Sequence, residues 1–195
     1  MTATKRTRLS AHDRRMQLLD SAQTLIQDKG LSSFTMDALA REAAVSNPLI
    51  YKYFDTRLGL LQELLSREYN RFYGEMQERI DKANSFQEVV MIAVSVNFEQ
   101  FAKGNILTTL TDQPDVAETL GEVQTKGSRK YGRFLVRELS HHYGVTKAQA
   151  EEMIVLASGA SQAAARQYSQ FGGDRDVLIA NAVQFIFAGF ETLTS

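Results

Sequence analysis

The sequence predicts an all-α protein: an N-terminal three-helix domain with a helix-turn-helix, followed by a larger bundle of long helices. Three observations carry this. Only two prolines, Pro48 and Pro114, occur in 195 residues. No segment sustains the polar–apolar alternation of a strand. Apolar residues instead recur at three- and four-residue steps through most of the chain. With 44% hydrophobic and 23% charged residues, the chain has the composition of a globular protein able to bury a core.

The elements follow in order. Ser10, with Asp13 three residues on, caps a first helix whose stripe is Leu18, Ala22, Leu25 and Ile26, and Gly30 stops it. Thr35 caps a short second helix carrying Met36, Leu39 and Ala40. Ser46 caps a third, running to about Phe54. Leu19, Phe34, Leu39, Val45, Ile50 and Phe54 supply a small core for the three. A long helix from Arg57 then carries Leu61, Leu64, Leu65, Tyr69, Phe72, Met76 and Ile80 on one stripe.

Ser85 and Glu88 form a capping box opening a helix to about Lys103. A short segment near 105–111 ends before Asp112-Gln113-Pro114, and a long helix runs on to Tyr143, where Gly144 stops it. Thr146 and Gln149 form a second capping box for a helix reaching Phe171. Gly172-Gly173-Asp174 is a break and a new cap. The last helix holds Val183, Ile186, Phe187, Phe190 and Leu193.

Charge is divided unevenly. Residues 1–60 hold nine Lys/Arg against six Asp/Glu, and residues 61–195 hold thirteen against seventeen. Lys5, Arg6, Arg8, Arg14 and Arg15 face only Asp13 in the first fifteen residues. A basic head on an acidic body suits a polyanionic partner for the head, or a solvated tail. No cysteine is present, so disulfides and thiolate metal sites are excluded, which fits a cytoplasmic protein. No apolar run approaches the roughly 18–20 residues of a membrane span, and no secretory signal is expected.

Enzymatic chemistry finds no foothold. The neighbours His141 and His142 point about 100° apart on a helix and are poor joint ligands for a metal. Lys126-Gly127-Ser128 has the wrong order for a phosphate loop, and no nucleophile elbow, zinc or dinucleotide fingerprint exists. Asp174-Arg175-Asp176 is a fragment of a calcium loop that capping explains better. No cofactor and no metal are expected.

Residues 35–54 carry the strongest signal. Two short helices joined by Ala43-Ala44-Val45-Ser46 are the geometry that places a second helix in the major groove. That helix buries Ile50 and Phe54 and offers Asn47, Leu49, Tyr51, Lys52 and Tyr53 on its other face, groups able to meet base edges and phosphates. The alternatives are an exposed helix of a protein-interaction adaptor and, with less support, an all-helical enzyme.

Residues 14–61 resemble the N-terminal domain of the TetR (tetracycline-repressor-like) family of transcriptional regulators. The matching pattern is Arg14, Leu18, Ala22, Gly30, Phe34-Thr35, Leu39-Ala40-Arg41-Glu42-Ala43, Val45-Ser46, Tyr51-x-Tyr53-Phe54, and Arg57 before Leu60-Leu61. The resemblance implies that Asn47, Pro48 and Leu49 lie at base edges, with Ser46 at the head of their helix. It implies that Thr35, Tyr51, Tyr53 and Arg57 meet phosphates, with Lys52 a further contact. A helix N-terminus attracts anions, which gives Thr35 independent sense. Two departures stand out. The usual glycine of the turn is Ala44, so the turn is expected to keep a conformation alanine tolerates. The acidic Asp37 suits phosphates badly and stays outside the set.

The C-terminal half suggests two tasks, and the division falls at 1–56 for DNA binding and 57–195 for ligand and dimer. The stretch around Ala157, Ala160 and Ala164 is rich in small residues that admit a close helix. The resemblance implies that it pairs, with Val183, Ile186, Phe187 and Phe190, in a homodimer interface. It also implies an effector pocket among the middle helices. Phe72, Met76, Phe98, Phe101, Leu107, Tyr131, Phe134 and Met153 are its candidate walls, with Asn97, Gln162 and Arg166 as polar anchors. The same side chains serve equally as solid core. The expected function is a ligand-responsive regulator, a repressor on a palindromic double-stranded operator, released by a small, largely apolar effector of unknown identity.

Overall fold

The structure, a computed structural model, describes residues 9–102, 104–118 and 120–194, with side chains throughout except at 120–128. The basic tail residues Lys5, Arg6 and Arg8 lie outside the described residues. Among the described residues every regular element is helical. α1 spans Ala11–Lys29, a single 3-10 turn spans Leu31–Ser33, α2 spans Met36–Glu42 and α3 spans Asn47–Tyr53. α4 (Arg57–Asp81), α5 (Phe86–Gln100), α6 (Ile106–Thr111) and α7 (Pro114–Ala117) follow. α8 (Leu120–Tyr143), α9 (Lys147–Phe171) and α10 (Arg175–Thr194) complete the fold. Where a single helix from Pro114 to Tyr143 was expected, α7 and α8 are separate elements.

The caps explain most boundaries. Ser10, Thr35 and Thr56 each accept a backbone N–H three residues on, at 3.0 Å. At α9 the Thr146–Gln149 box closes in both directions. At α5 only half of the expected box forms. Ser85 accepts from the Glu88 backbone at 3.1 Å, but the Glu88 carboxylate reaches one residue further, to the Asn84 N–H at 2.6 Å. Ser46 occupies the N-cap of α3 with extended backbone, yet its hydroxyl makes no cap bond. Pro48 in the first turn needs no donor there and sets φ in advance.

Three cores organise the packing. The first joins α1, α2 and α3 to the N-terminal half of α4 through Leu18, Leu19, Phe34, Leu39, Ile50, Leu60, Leu61, Leu64 and Leu65. Ile106, Leu107 and Leu110 of α6 and Val116 of α7 belong to the same cluster. Leu107 therefore seals the base of the N-terminal head and forms no pocket wall. The second core unites α5, α8, α9 and α10 around Val94, Phe98, Leu139, Met153 and Phe190. A third, smaller one places Met76 and Ile80 of α4 against Val89 and Val96 of α5. The division between cores thus runs through the middle of α4, not at its start.

The last helix corrects an expectation. α10 is 20 residues with a best-window mean hydropathy of 1.5, long and apolar enough by length and composition to cross a membrane. Here it packs against α5 and α9 and contributes Ile179, Val183, Ile186 and Phe190 to the second core.

Candidate nucleic-acid interface and internal cavity

α2 and α3 are held at their angle by the turn Ala43–Ser46, in which the Val45 N–H donates to the Ala40 carbonyl at 3.0 Å. Ala44 has φ 52°, the left-handed region that glycine occupies freely and alanine does not. The expected relaxed turn is therefore not what forms. Packing of Ile50 and Phe54 into the first core dictates the angle, and Ala44 accommodates it.

α3 turns its sequence-nominated residues outward. Pro48, Tyr51 and Lys52 are exposed, while Asn47, Leu49 and Tyr53 are half-buried, and Thr35 and Ser46 are exposed at the starts of α2 and α3. Tyr51 and Lys52 point to solvent from consecutive positions beside the turn.

Two details depart from the sequence reading. Asp37, set aside as ill-suited to the site, accepts a hydrogen bond from the Asn47 side-chain Nδ2. The Asn47 Oδ1 is buried without a partner among the described residues. A bidentate contact to adenine needs both atoms, so Asp37 competes for the group that reads the base. Arg57, expected on phosphate, donates from Nε to the Phe34 carbonyl at 3.0 Å and from Nη2 to the Leu31 carbonyl at 3.4 Å. Its guanidinium lies 5.5 Å from the Phe34 ring centroid. It ties the start of α4 to the loop before α2, and its exposed edge remains towards solvent.

Other charges of the head are also committed inward. Arg15 pairs with Glu63, donates to the Tyr53 carbonyl at 2.9 Å, and stacks 4.6 Å over Phe54. That hydrogen bond to Glu63 raises its pKa from the ordinary value. Sequence reasoning missed a second clasp. Glu68, only 6% exposed, receives Arg67 Nε at 2.9 Å and Gln23 Nε2 at 3.2 Å. Arg67 also reaches Asp20 at 2.7 Å and Gln23 at 2.9 Å. The signal was present: Glu68 falls on the apolar stripe of α4, between Leu65 and Tyr69, where a carboxylate needs partners.

A cavity of about 430 Å³ lies among α4, α5, α8, α9 and α10. Of the nominated walls and anchors, Phe72, Met76, Asn97, Phe101, Tyr131 and Gln162 line it. Phe98 and Met153 are core instead, and Phe134 packs beside Met76 and Ile80 in the third cluster. Arg166 is exposed and stacks 5.0 Å over Phe101, outside the lining. Asn97 donates to Ser161 at 2.8 Å and Gln162 to Ser158 at 3.0 Å, so these polar walls partner each other. Burial pushes the Tyr131 phenol well above its usual range.

The nominated dimer residues are mostly turned inward. Val183, Ile186 and Phe190 are core, and Ala157, Ala160, Ala164 and Phe187 are partly buried against it. The exposed apolar residues of α9 and α10 are instead Val155 and Leu156, then Phe171, Val177, Phe185 and Leu193. α9 and α10 thus bury most of the nominated side chains and leave other apolar residues outside, because composition alone does not orient a helix. His141 and His142 are both exposed, and His142 stacks on Phe86 at 4.8 Å. Among the described residues no cluster suited to a metal exists.

The profile of a family described as "Bacterial regulatory proteins, tetR family" matches residues 18–64. The HTH-type transcriptional regulator EthR of Mycobacterium tuberculosis is 29% identical over 103 residues, covering 52% of this chain and 48% of the relative. The chain thus spans about half the length of that relative. The HTH-type transcriptional activator FasR of Mycolicibacterium smegmatis is 25% identical over 190 residues, 94% of this chain and 86% of the relative. A TetR-like transcriptional regulator from Rhodococcus sp. RHA1 superposes with TM-score 0.66 at 24% identity, covering 94% of this chain and 99% of that one. FadR of Bacillus subtilis, in complex with stearoyl-CoA, gives 0.59 at 21% identity, covering 92% and 97%. At these identities the solved structures share the fold.

Proposed function

We propose, for a chain that belongs to the tetR family of bacterial regulatory proteins, the work of a ligand-responsive transcriptional regulator. In this reading it is a cytoplasmic repressor that grips a palindromic operator as a homodimer and releases it when a small, largely apolar effector fills the cavity. Residues 1–56 are the DNA-binding part, and 57–195 carry the effector and dimer functions.

One observation carries the reading. α4 belongs to both parts: Leu60, Leu61, Leu64 and Leu65 lie in the core of the head, while Tyr69, Phe72 and Met76 wall the cavity. A ligand that displaces α4 therefore displaces a head fixed to it. A second strut runs alongside, because α6 packs on both α4 and α1. Paired recognition helices must sit ~34–36 Å apart, or a multiple of it, to enter successive major grooves. A modest swing of α4 ruins that spacing while each head stays folded.

The DNA contacts in this reading come from Thr35, Ser46, Asn47, Pro48, Leu49, Tyr51, Lys52, Tyr53 and the outer edge of Arg57. The unengaged Ser46 hydroxyl suits a phosphate oxygen. Pairing uses the exposed apolar faces of α9 and α10. FasR, which aligns with most of this chain, is named an activator, and this favours a second reading in which the bound dimer raises transcription.

The test is fluorescence anisotropy with labelled duplexes tiling the DNA upstream of the chain's own gene, together with transcription from that promoter. Saturable binding to one two-fold symmetric segment, at salt that strips random DNA, is the expected result. Equal binding to every segment, or none, rejects the regulator and leaves the adaptor. The sign of the transcriptional change separates repressor from activator.

A further inference from the structure

One acidic side chain stands on the face that is to meet DNA. Asp37 lies in the first turn of α2, is exposed, and forms no ion pair with Lys or Arg among the described residues. Its place near a helix N-terminus suits stability, since the helix dipole favours a carboxylate there. The dipole does not account for the contact it makes. Its Oδ1 accepts a hydrogen bond from the side chain of Asn47, the first residue of α3 and ten positions on. The carboxylate is therefore held beside the end of α3 whose residues, in a helix-turn-helix, meet base edges.

The same contact takes the Asn47 amide out of its usual reading. Its Nδ2 is engaged by Asp37, and its Oδ1 is buried with no partner among the described residues. An adenine edge needs an acceptor for N6 and a donor for N7 from one amide, and here the acceptor is buried. The acceptor left for DNA is the Asp37 carboxylate, whose Oδ2 holds no hydrogen bond among the described residues. An ionised carboxylate accepts and never donates. In the major groove it is repelled by guanine O6 and N7 and by thymine O4, and is met by amino groups alone. Adenine N6 stands between two acceptors, its own N7 and the O4 of the paired thymine. Cytosine N4 has an acceptor on one side only, which makes cytosine the better partner.

We infer that Asp37 selects a C·G base pair in each half-site by accepting a hydrogen bond from cytosine N4, with Asn47 as its positioning residue. This rests on reading α2 and α3 as the DNA-binding unit. It assigns the base readout at this point to the pair of side chains and not to the Asn47 amide alone. Near phosphates an unsatisfied carboxylate is repelled, so Asp37 acts by rejecting other sequences as well as by attracting one.

The test is selection by the full chain from duplexes with a random central segment of roughly 30 base pairs. Fluorescence anisotropy on the enriched duplex and its single-pair substitutions follows. The parent should enrich a two-fold symmetric site with a constant C·G pair in each half. Asp37→Asn keeps an acceptor for Asn47 and removes the charge. It should lower discrimination at that pair about tenfold and leave the other pairs alone. Asn47→Ala should lose discrimination at the same pair, and the double variant should lose no more than either single one. Affinity of Asp37→Asn for random duplex should rise about twofold, because one negative charge is withdrawn from the phosphates. A carboxylate that only stabilises α2 gives a different result: a lower melting temperature with base preference unchanged. That result, or losses by the two single variants at different pairs, overturns the inference and leaves the regulator standing. A parent that enriches no symmetric site overturns both.

Discussion

Ala44 holds the turn between α2 and α3 with φ 52°, and an L-residue there gives up ~1–2 kcal/mol relative to the right-handed region. Glycine removes that strain but adds entropy to the unfolded chain. Ala44→Gly should therefore raise the unfolding free energy by about 0.5–1 kcal/mol in urea titration. A lower value would mean that the turn is less strained than its φ implies. A few residues on, Asn47 is engaged by Asp37, so reading a base requires the pair to open or to share its donors. Asn47→Ala should cost roughly 1–3 kcal/mol of discrimination at one base pair of each half-site. Anisotropy on single-substituted operators measures this, and an equal loss on random DNA would show that the side chain reads nothing. Arg57 differs in kind, because its bonds to Leu31 and Phe34 make it a brace for the head in addition to the phosphate contact proposed for it. Loss of affinity on its removal must be divided between the two.

Among the elements, α9 and α10 are the ones proposed to pair, and the relevant variable is which side each shows. α10 buries Ile179, Val183, Ile186 and Phe190 and leaves Phe185 69% exposed. Phe187 lies between, its ring against Phe86 and Phe190 at 6.0 and 6.1 Å. Phe185→Glu should give folded monomers by analytical ultracentrifugation, with unchanged helical signal. Phe187→Glu should instead destabilise the fold, since its charge would meet the second core. Monomer formation by neither variant would move the interface away from α10. α4 shows the same principle along its length. Its first half is fastened to α1 by the Arg67–Glu68–Gln23–Asp20 clasp, and its second half packs on α5 and α8 while walling the cavity.

For the whole molecule the proposed control requires linkage between cavity and operator. A ligand shifts the equilibrium only by its preference for the released state, so ~2–3 kcal/mol of preference yields on the order of 30- to 150-fold release. Operator DNA must then weaken ligand binding by the same factor. Calorimetry of the effector with and without saturating operator checks this, and equal affinities would separate the cavity from control. The first core spans α1 to α4 and also takes in α6 and α7, so the head and the start of α4 share one packed cluster.

What the sequence determined by itself was local or periodic. Caps at Ser10, Thr35 and Thr146, stops at Gly30, Gly144 and Gly172, and apolar steps along α4 each depend on a few neighbouring residues, and physical chemistry at that range is readable from spacing. The recognition helix was legible for the same reason, since its buried pair, Ile50 and Phe54, assigns the opposite face to solvent. Tertiary structure alone decided the rest. It set the left-handed Ala44, the capture of Asn47 by Asp37 and the inward use of Arg15 and Arg57. It also placed Phe98 and Met153 in core while Tyr131 walls a cavity, and put Val155, Leu156 and Phe185 outside. Each is fixed by the rotation of one helix against another. A helix rich in apolar residues on every side, as α10 is, carries no periodic mark of which side its neighbours will cover.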